Sequence, residues 1–278
     1  MVNSADNPDW NSLSRAHASQ KWRKQSASMG RDMTRAIVEA AHVSPGMNIL
    51  DVACGSGEPA ISLATLLEGN GDVMGVDISP EPLKIAEERA AQRGLHNVKF
   101  QSADAHNLPF PDNRFDRVTS RLGIMFFADL PRALGEIRRV LRPGGRATLL
   151  VWGPMEQPYF QTTLGTLLPL LPGASIPDSG RKMFAFGRPG VLDQLLRDAG
   201  FVKIKENFLT VPWTWPGPPE EVWQYFQEVT VPFAALLQAI PDHRREQIDA
   251  EILRAIAGHY DGKEIKFTAT VNITSACK

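Results

Sequence analysis

The chain has 278 residues, 43% of them hydrophobic and 22% charged, the composition of a globular protein able to bury a sizeable core. Thirty basic residues face 31 acidic ones, so no bulk field draws it to nucleic acid or anionic lipid. Its two cysteines, Cys54 and Cys277, make no C-x-x-C pair, zinc spacing or disulfide framework, and a reducing, cytoplasmic setting is expected.

The length suits a core of roughly 200 residues with an appended cap. The opening MVNSADNPDW is polar and acidic, unlike a secretion signal, and residues 1–20 read as loosely ordered. Arg15, Lys21, Arg23, Lys24, Arg31 and Arg35 read as one solvated helix face. Over residues 26–41, Met29, Met33, Ile37, Val38 and Ala41 recur at helical spacing, and Ser44-Pro45-Gly46 ends that helix.

A regular alternation follows. Residues 47–52 read as a strand, then come a Gly loop and a helix to about Leu67. Residues 72–76 are a second strand, 80–93 a helix, 98–101 a third strand and 115–120 a fourth. A helix over 130–141 is broken by Arg142-Pro143-Gly144-Gly145, and 147–152 form a fifth strand with no polar face. Short strands, apolar on both sides and alternating with helices, mean a parallel sheet between helix layers. A Pro- and Gly-rich insertion spans 154–187. The rhythm then resumes with a helix over 189–199 and a strand from 201 to about 211. A second insertion, 212–262, is rich in Trp and Pro and then helical, and a strand of different pattern closes the chain over 264–273. The apolar stretch at 164–174 is too short and Pro-broken to span a bilayer. Asn272-Ile273-Thr274 spells a glycosylation sequon that no secretion signal supports.

The loop after the first strand reads LDVACGSGEPA, residues 50–60. Gly55 to Ala60 fits G-x-G-x-x-G/A, the dinucleotide turn. The same strand, Gly loop and helix also suit S-adenosylmethionine, which has no phosphates. Charge discriminates between them. Asp51 and Glu58 flank the loop, and no Lys or Arg lies near it in sequence. A pyrophosphate there meets two carboxylates, each costing on the order of 1–4 kcal/mol at about 4 Å. The ammonium and sulfonium of S-adenosylmethionine are instead attracted. Glu58 reads first as a helix-start acid favourable to the dipole. Asp77, 22 residues past Gly55 at the end of the second strand, is placed for ribose hydroxyls, with helix capping as its structural alternative.

With LDVACGSG, VDIS, SADAHNLPFPDNRFDRV, SRLGIMFF and EIRRVLRPGG in order and spacing, the chain resembles class I S-adenosylmethionine-dependent methyltransferases. Within them it is similar to the branch of the ubiquinone/menaquinone-biosynthesis and natural-product methyltransferases. The resemblance is strong over residues 45–153 and weaker over 188–211. It implies that Asp51, Gly55 and Gly57 line the methionine moiety, with Ala53 where the family often has Gly. It further implies that Asp77 takes the ribose and Ile78 packs on adenine. Asp104 accepts from the adenine amino group, and Ala105 sits near the ring. Arg121 follows the strand whose end holds the cofactor's amino group. An N-terminal helix that includes Trp22 and Met29 closes the pocket.

The fold class expected is α/β. The family pattern is a Rossmann-like seven-stranded, mostly parallel sheet of order 3-2-1-4-5-7-6, with helices on both faces and a helical lid from the insertions. The organisation expected is an arm over 1–45, a cofactor-binding core over 46–153, a lid over 154–187, core again over 188–211, a second lid over 212–262 and a final strand over 263–278.

Aromatics in the insertions, among them Tyr159, Phe160, Trp213, Trp215, Trp223 and Phe226, fit either the cap's own core or an apolar acceptor pocket. A small, largely apolar acceptor of quinone-, polyketide- or other natural-product type follows. Nucleic acid and a membrane span are not expected, and a homodimer stays open. No metal and no catalytic residue is assigned. The alternatives are an NAD-dependent Rossmann oxidoreductase or epimerase, which lacks a Tyr-x-x-x-Lys pair here, and a non-enzymatic module that keeps the cofactor as a ligand.

Overall fold

The computed structural model describes residues 17, 18 and 20–278. The loosely ordered arm expected over 1–20, and Arg15 with it, lie outside these residues apart from residues 17, 18 and 20, which are helical. In chain order come α1 (Arg23–Ala41), β1 (Asn48–Val52), α2 (Ala60–Leu66), β2 (Asp72–Asp77), α3 (Pro80–Gln92), β3 (Val98–Ser102) and β4 (Phe115–Arg121). Then follow α4 (Leu130–Val140), β5 (Leu141–Trp152), α5 (Pro158–Leu167), α6 (Asp178–Lys182), α7 (Val191–Asp198) and β6 (Val202–Pro216). The chain closes with α8 (Pro219–Val229), α9 (Ala234–Gln238), α10 (Asp242–Ala257) and β7 (Glu264–Cys277).

The strands form one sheet in the order β3-β2-β1-β4-β5-β7-β6. Strands β1 to β5 pair in parallel, and β7 runs antiparallel to β5, with Trp152 opposite Val271 and Arg146 opposite Cys277. The order reverses between β1 and β4, the point at which open α/β sheets bind ligands beyond the carboxyl ends of their strands.

The sequence places three features differently. The Arg142–Gly145 stretch is not a turn before β5 but an outward bulge within it: Phe115 pairs with Leu141 and Arg117 with Arg146, and Gly144 takes φ +76° to allow it. Strands β6 and β7 extend beyond the expected ends, to Pro216 and Cys277. The first insertion holds α5 and α6. Pro158 looks like a breaker in sequence, yet it occupies the first turn of α5, where a missing N–H costs nothing.

The chain forms two compact units. The larger comprises Met33–Gly153, Phe186–Leu209 and Val271–Lys278, and the smaller Met1–Asp32, Pro154–Ala185 and Thr210–Thr270. In the larger, Ile49 and Val73 of the sheet pack with Ile61, Leu63 and Ala64 of α2 and with Ala90 of α3. Helix α4 shows how sequence sets an element. Asp129 caps it by accepting from Arg132 N at 3.1 Å, Pro131 starts it, Arg138 and Arg139 close it, and Ala133, Leu134, Ile137 and Val140 make its buried stripe. Asn272 of the sequon is fully buried, its amide donating to Glu206 and to the Phe186 carbonyl, so no glycan can be attached there.

The smaller unit is built on rings. Tyr159 meets Trp213 edge to face at 4.0 Å, Phe160 at 5.1 Å and Phe226 at 5.9 Å. Phe226 is stacked between Trp223 and Phe233. Helix α10 buries Ile248, Ile252 and Ile256 along one stripe, and Trp223 of α8 donates to its Asp249 at 2.8 Å.

Candidate active site

Asp51, fourth residue of β1, is completely buried. Its Oδ1 accepts from the Thr119 hydroxyl at 2.8 Å, and its Oδ2 accepts from Ala60 N at 3.1 Å. Thr119 stands directly beside it on β4. Burial pushes the Asp51 carboxyl up to about 7 and Glu58 adds to the rise, while the two bonds and the Arg121 charge oppose it.

The loop that follows turns through left-handed backbone at Ala53 (φ +58°), Gly55 (+51°) and Gly57 (+101°). A Cβ at Gly57 would meet Ile61 at 2.6 Å, so that glycine serves packing. A Cβ at Gly55 would meet nothing within 4 Å, so that side of the loop is open. Cys54 N donates to the Val76 carbonyl at 3.0 Å, and Gly55 N to Asp77 Oδ2 at 2.8 Å, which joins the loop to the end of β2. The Cys54 side chain is buried against Gly75, and burial pushes its thiol well above the usual range, so it is an inert filler.

The expectation that no cation lies near the loop is corrected by the fold. Arg89, on α3, donates to Glu58 at 2.8 Å and also to the Ser56 carbonyl, and Arg93 stands 3.7 Å from the same carboxylate. Arg121 at the end of β4 reaches the Glu58 carbonyl at 3.5 Å. Glu58 is therefore a paired acid, bonded to Ser62 as well at 2.6 Å. The charge argument against a pyrophosphate weakens accordingly: sequence proximity missed cations that arrive from another helix and another strand.

Asp77 accepts from Gly55 N on one oxygen and from Ser79 N, at 2.9 Å, on the other. It does not cap α3, which has no side-chain cap at its N-cap residue Ser79; its bond to Ser79 N shapes the turn before the helix, and acceptor sites remain because a carboxylate has about four. Next to it Ile78 is 59% exposed, a large apolar side chain in the open beside a polar strand end. Asp104, after β3, accepts on Oδ1 from both the backbone N and the ring Nδ1 of His106, at 2.9 and 2.5 Å. The backbone bond is the first cause of its lowered pKa. The other ring nitrogen of His106, Nε2, accepts from Asp129 N at 3.1 Å, so Nδ1 is the one that donates to Asp104. Ala105 is buried.

The LPFPD stretch is structural. Leu108 N donates to Glu136, and Arg139 of α4 donates to the Leu108 and Phe110 carbonyls and to Asp112. Trp22 and Met29 fall in the smaller unit, where the Trp22 indole donates to Glu228 at 2.6 Å and its ring lies 5.5 Å from Trp215, and Met29 is half-buried. Lys21 pairs with the same Glu228 at 2.9 Å, so it is not a free member of a solvated basic face.

Sequence reasoning placed His106 beside Asp104, where it lies, but singled out neither Thr119 nor Arg89. Strand β4 reads FDRVTSR, polar along most of its length, so nothing in its pattern marks Thr119. Among proton acceptors, Tyr159 is fully buried and its phenol is pushed well above 10, with Thr230 bearing on it but outside hydrogen-bond geometry. It holds its proton at neutral pH. His259 is engaged with the Thr162 hydroxyl at 3.2 Å.

Residues 43–152 match the family described as a methyltransferase domain. A demethylmenaquinone methyltransferase of Thermus thermophilus is 39% identical over 198 residues, 66% of this chain and 87% of that protein. A nocamycin O-methyltransferase of Saccharothrix syringae is 28% identical over 264 residues, 87% of this chain and 89% of that protein. Among solved structures, the [4+2]-cyclase SpnF superposes with a TM-score of 0.52 at 26% identity, covering 88% of this chain and 79% of that one.

The chain belongs to the class I S-adenosylmethionine-dependent methyltransferases, in the branch similar to the quinone-biosynthesis enzymes. It is an enzyme of that type, and S-adenosylmethionine is its methyl donor. The residues present suit such a donor. The open side of Gly55, the carboxylate of Asp77 and the bare Ile78 offer a close approach, a hydroxyl acceptor and an apolar face, and buried Asp51 offers a carboxyl to a cation.

Proposed function

We propose that this enzyme methylates a small, largely apolar acceptor of quinone or polyketide type, with the donor held at the ends of β1, β2 and β3. The observation that carries the donor assignment is the bond from Gly55 N to Asp77, which makes the Gly loop and the ribose-type acid one construction. Asp51 and Gly55 then bear on the methionine half, with Gly57 letting the loop pack on Ile61, Ala53 shaping the turn and Arg121 beside it. Asp77 accepts from the ribose hydroxyls, Ile78 and Ala105 flank the adenine ring, and Asp104, held on one oxygen by His106, accepts from the adenine amino group. Bound there, the cofactor supplies a sulfonium methyl group open to in-line attack. The chain's contribution is position and orientation, which can supply most of the barrier reduction in such a displacement.

The acceptor class is supported by the names of the two curated relatives. The aromatic residues of the smaller unit add less than their number suggests, because they pack on one another as a core.

The test is turnover with S-adenosylmethionine on a panel of demethylated quinols and phenolic polyketides, read by mass spectrometry. A gain of one methyl mass with matched formation of S-adenosylhomocysteine is expected. An acceptor rearranged without mass change would favour the chemistry named for the cyclase. No turnover on the panel, with turnover on a polar amine, would overturn the acceptor class.

A further inference from the structure

We propose that Arg89 is a positioning residue for the methionine half of the donor: it cancels the charge of Glu58 and pins the Ser56 carbonyl, so the Gly loop meets the donor's carboxylate without an unpaired negative charge. This rests on the loop assignment made under Proposed function.

Glu58 lies one residue past Gly57, with its side chain only 15% exposed. A carboxylate at that depth repels another carboxylate more strongly than one in open water, because the local dielectric is lower. The donor brings such a group on its amino-acid end. Arg89 removes the conflict from outside the loop. Its side chain is itself 17% exposed, and its two terminal nitrogens divide the work, one donating to Glu58 and the other to the Ser56 carbonyl. A guanidinium does both at once because its donors form a rigid planar fork; a lysine ammonium is a single point charge. The Ser56 carbonyl is itself an acceptor dipole in the loop, and held by Arg89 it is committed to α3.

The arrangement also joins the two cofactor-bearing segments a second time. Helix α3 begins three residues after Asp77, and Gly55 N already donates to Asp77. Arg89 closes the far side, from the last turn of the same helix. Charge and geometry in the loop thus depend on a residue that touches none of the donor's atoms.

The test compares two ligands that share a thioadenosine: S-adenosylhomocysteine, which carries the amino-acid half, and 5′-methylthioadenosine, which lacks it. Calorimetry on the full chain would measure both against wild type, Arg89→Ala and the Arg89→Ala/Glu58→Gln double variant. Arg89→Ala is expected to weaken S-adenosylhomocysteine about tenfold, the scale of one charge-assisted bond lost from a partly buried carboxylate that keeps only Ser62 and the more distant Arg93, and to leave methylthioadenosine within about twofold. The double variant is expected to return S-adenosylhomocysteine to within about threefold of wild type, and the KM for S-adenosylmethionine should rise in Arg89→Ala while kcat holds. Equal weakening of both ligands would mean general damage to the fold and would overturn the proposal. So would unchanged S-adenosylhomocysteine affinity, or a double variant as weak as the single. A wild-type chain that binds methylthioadenosine but not S-adenosylhomocysteine would instead overturn the loop assignment itself.

Discussion

The two units are stabilised by different means. The larger pairs its buried carboxylate and its buried amide, Asp51 with Thr119 and Ala60 N and Asn272 with Glu206 and Phe186, while the Ser120 and Thr148 hydroxyls are buried in it without a hydrogen bond. The smaller leans on ring against ring, and its Tyr159 hydroxyl is buried without a hydrogen bond. Satisfied polar networks fix one geometry, because each displaced group loses its partner. Apolar rings tolerate exchange of shape for shape.

The comparison breaks most visibly at Phe226. It is wholly buried between Trp223 and Phe233. Phe226→Ala should cost about 3–5 kcal/mol in denaturant unfolding. Tyr159→Phe should change stability by under about 0.5 kcal/mol, since it removes a hydroxyl that makes no bond. Should Tyr159→Phe keep its stability and lose turnover, the ring cluster is an acceptor site and not a core.

Next in size is Asp77→Ala. It removes a charge-assisted acceptor and frees Gly55 N, so cofactor affinity should fall by roughly 1.5–3 kcal/mol in a calorimetric titration. Unchanged affinity would reduce Asp77 to a brace for the turn at Ser79.

The sharpest of these tests concerns Asp51. Its folded pKa lies near 7, above the ordinary carboxylate value, so the neutral form is the one that folding favours. The stability this gives is complete below about pH 4 and is lost as pH rises through about 7. Asp51→Asn should flatten that slope in unfolding curves taken from pH 5 to 8. A cationic ligand beside Asp51 favours the ionised form, so S-adenosylmethionine binding near pH 7 should release up to about half a proton. Titrations in buffers of different ionisation heat would show it, and the release should vanish in Asp51→Asn.

The sheet was legible because its signal is local and repeated: apolar strands such as NILDV and TLLVW alternate with helices whose starts and stops are marked by Pro, Asp and Gly. The Gly loop and Asp77 were legible because each sits at a fixed distance from a strand end. What escaped were contacts that only folding creates. Arg89 lies 31 residues from Glu58, and Thr119 lies 68 from Asp51. Nothing near either partner in sequence announces the pairing, so the loop's neighbourhood looked more acidic in sequence than it is in space, although the donor that the charge reading favoured is the right one. The rings of the smaller unit were visible as residues, but whether they face a ligand or one another is a matter of packing, which spacing does not encode.

Ala53 takes left-handed backbone, and a Cβ on Gly123 would come within 2.5 Å of the Ala53 methyl and 2.9 Å of the Ser120 hydroxyl. The two positions, seventy residues apart in the chain, therefore compete for one methyl group's worth of space. The residue after the first strand thus decides what a residue just past the fourth can be: with Ala53 in place, a side chain at position 123 has to displace it, and the Ser120 hydroxyl as well.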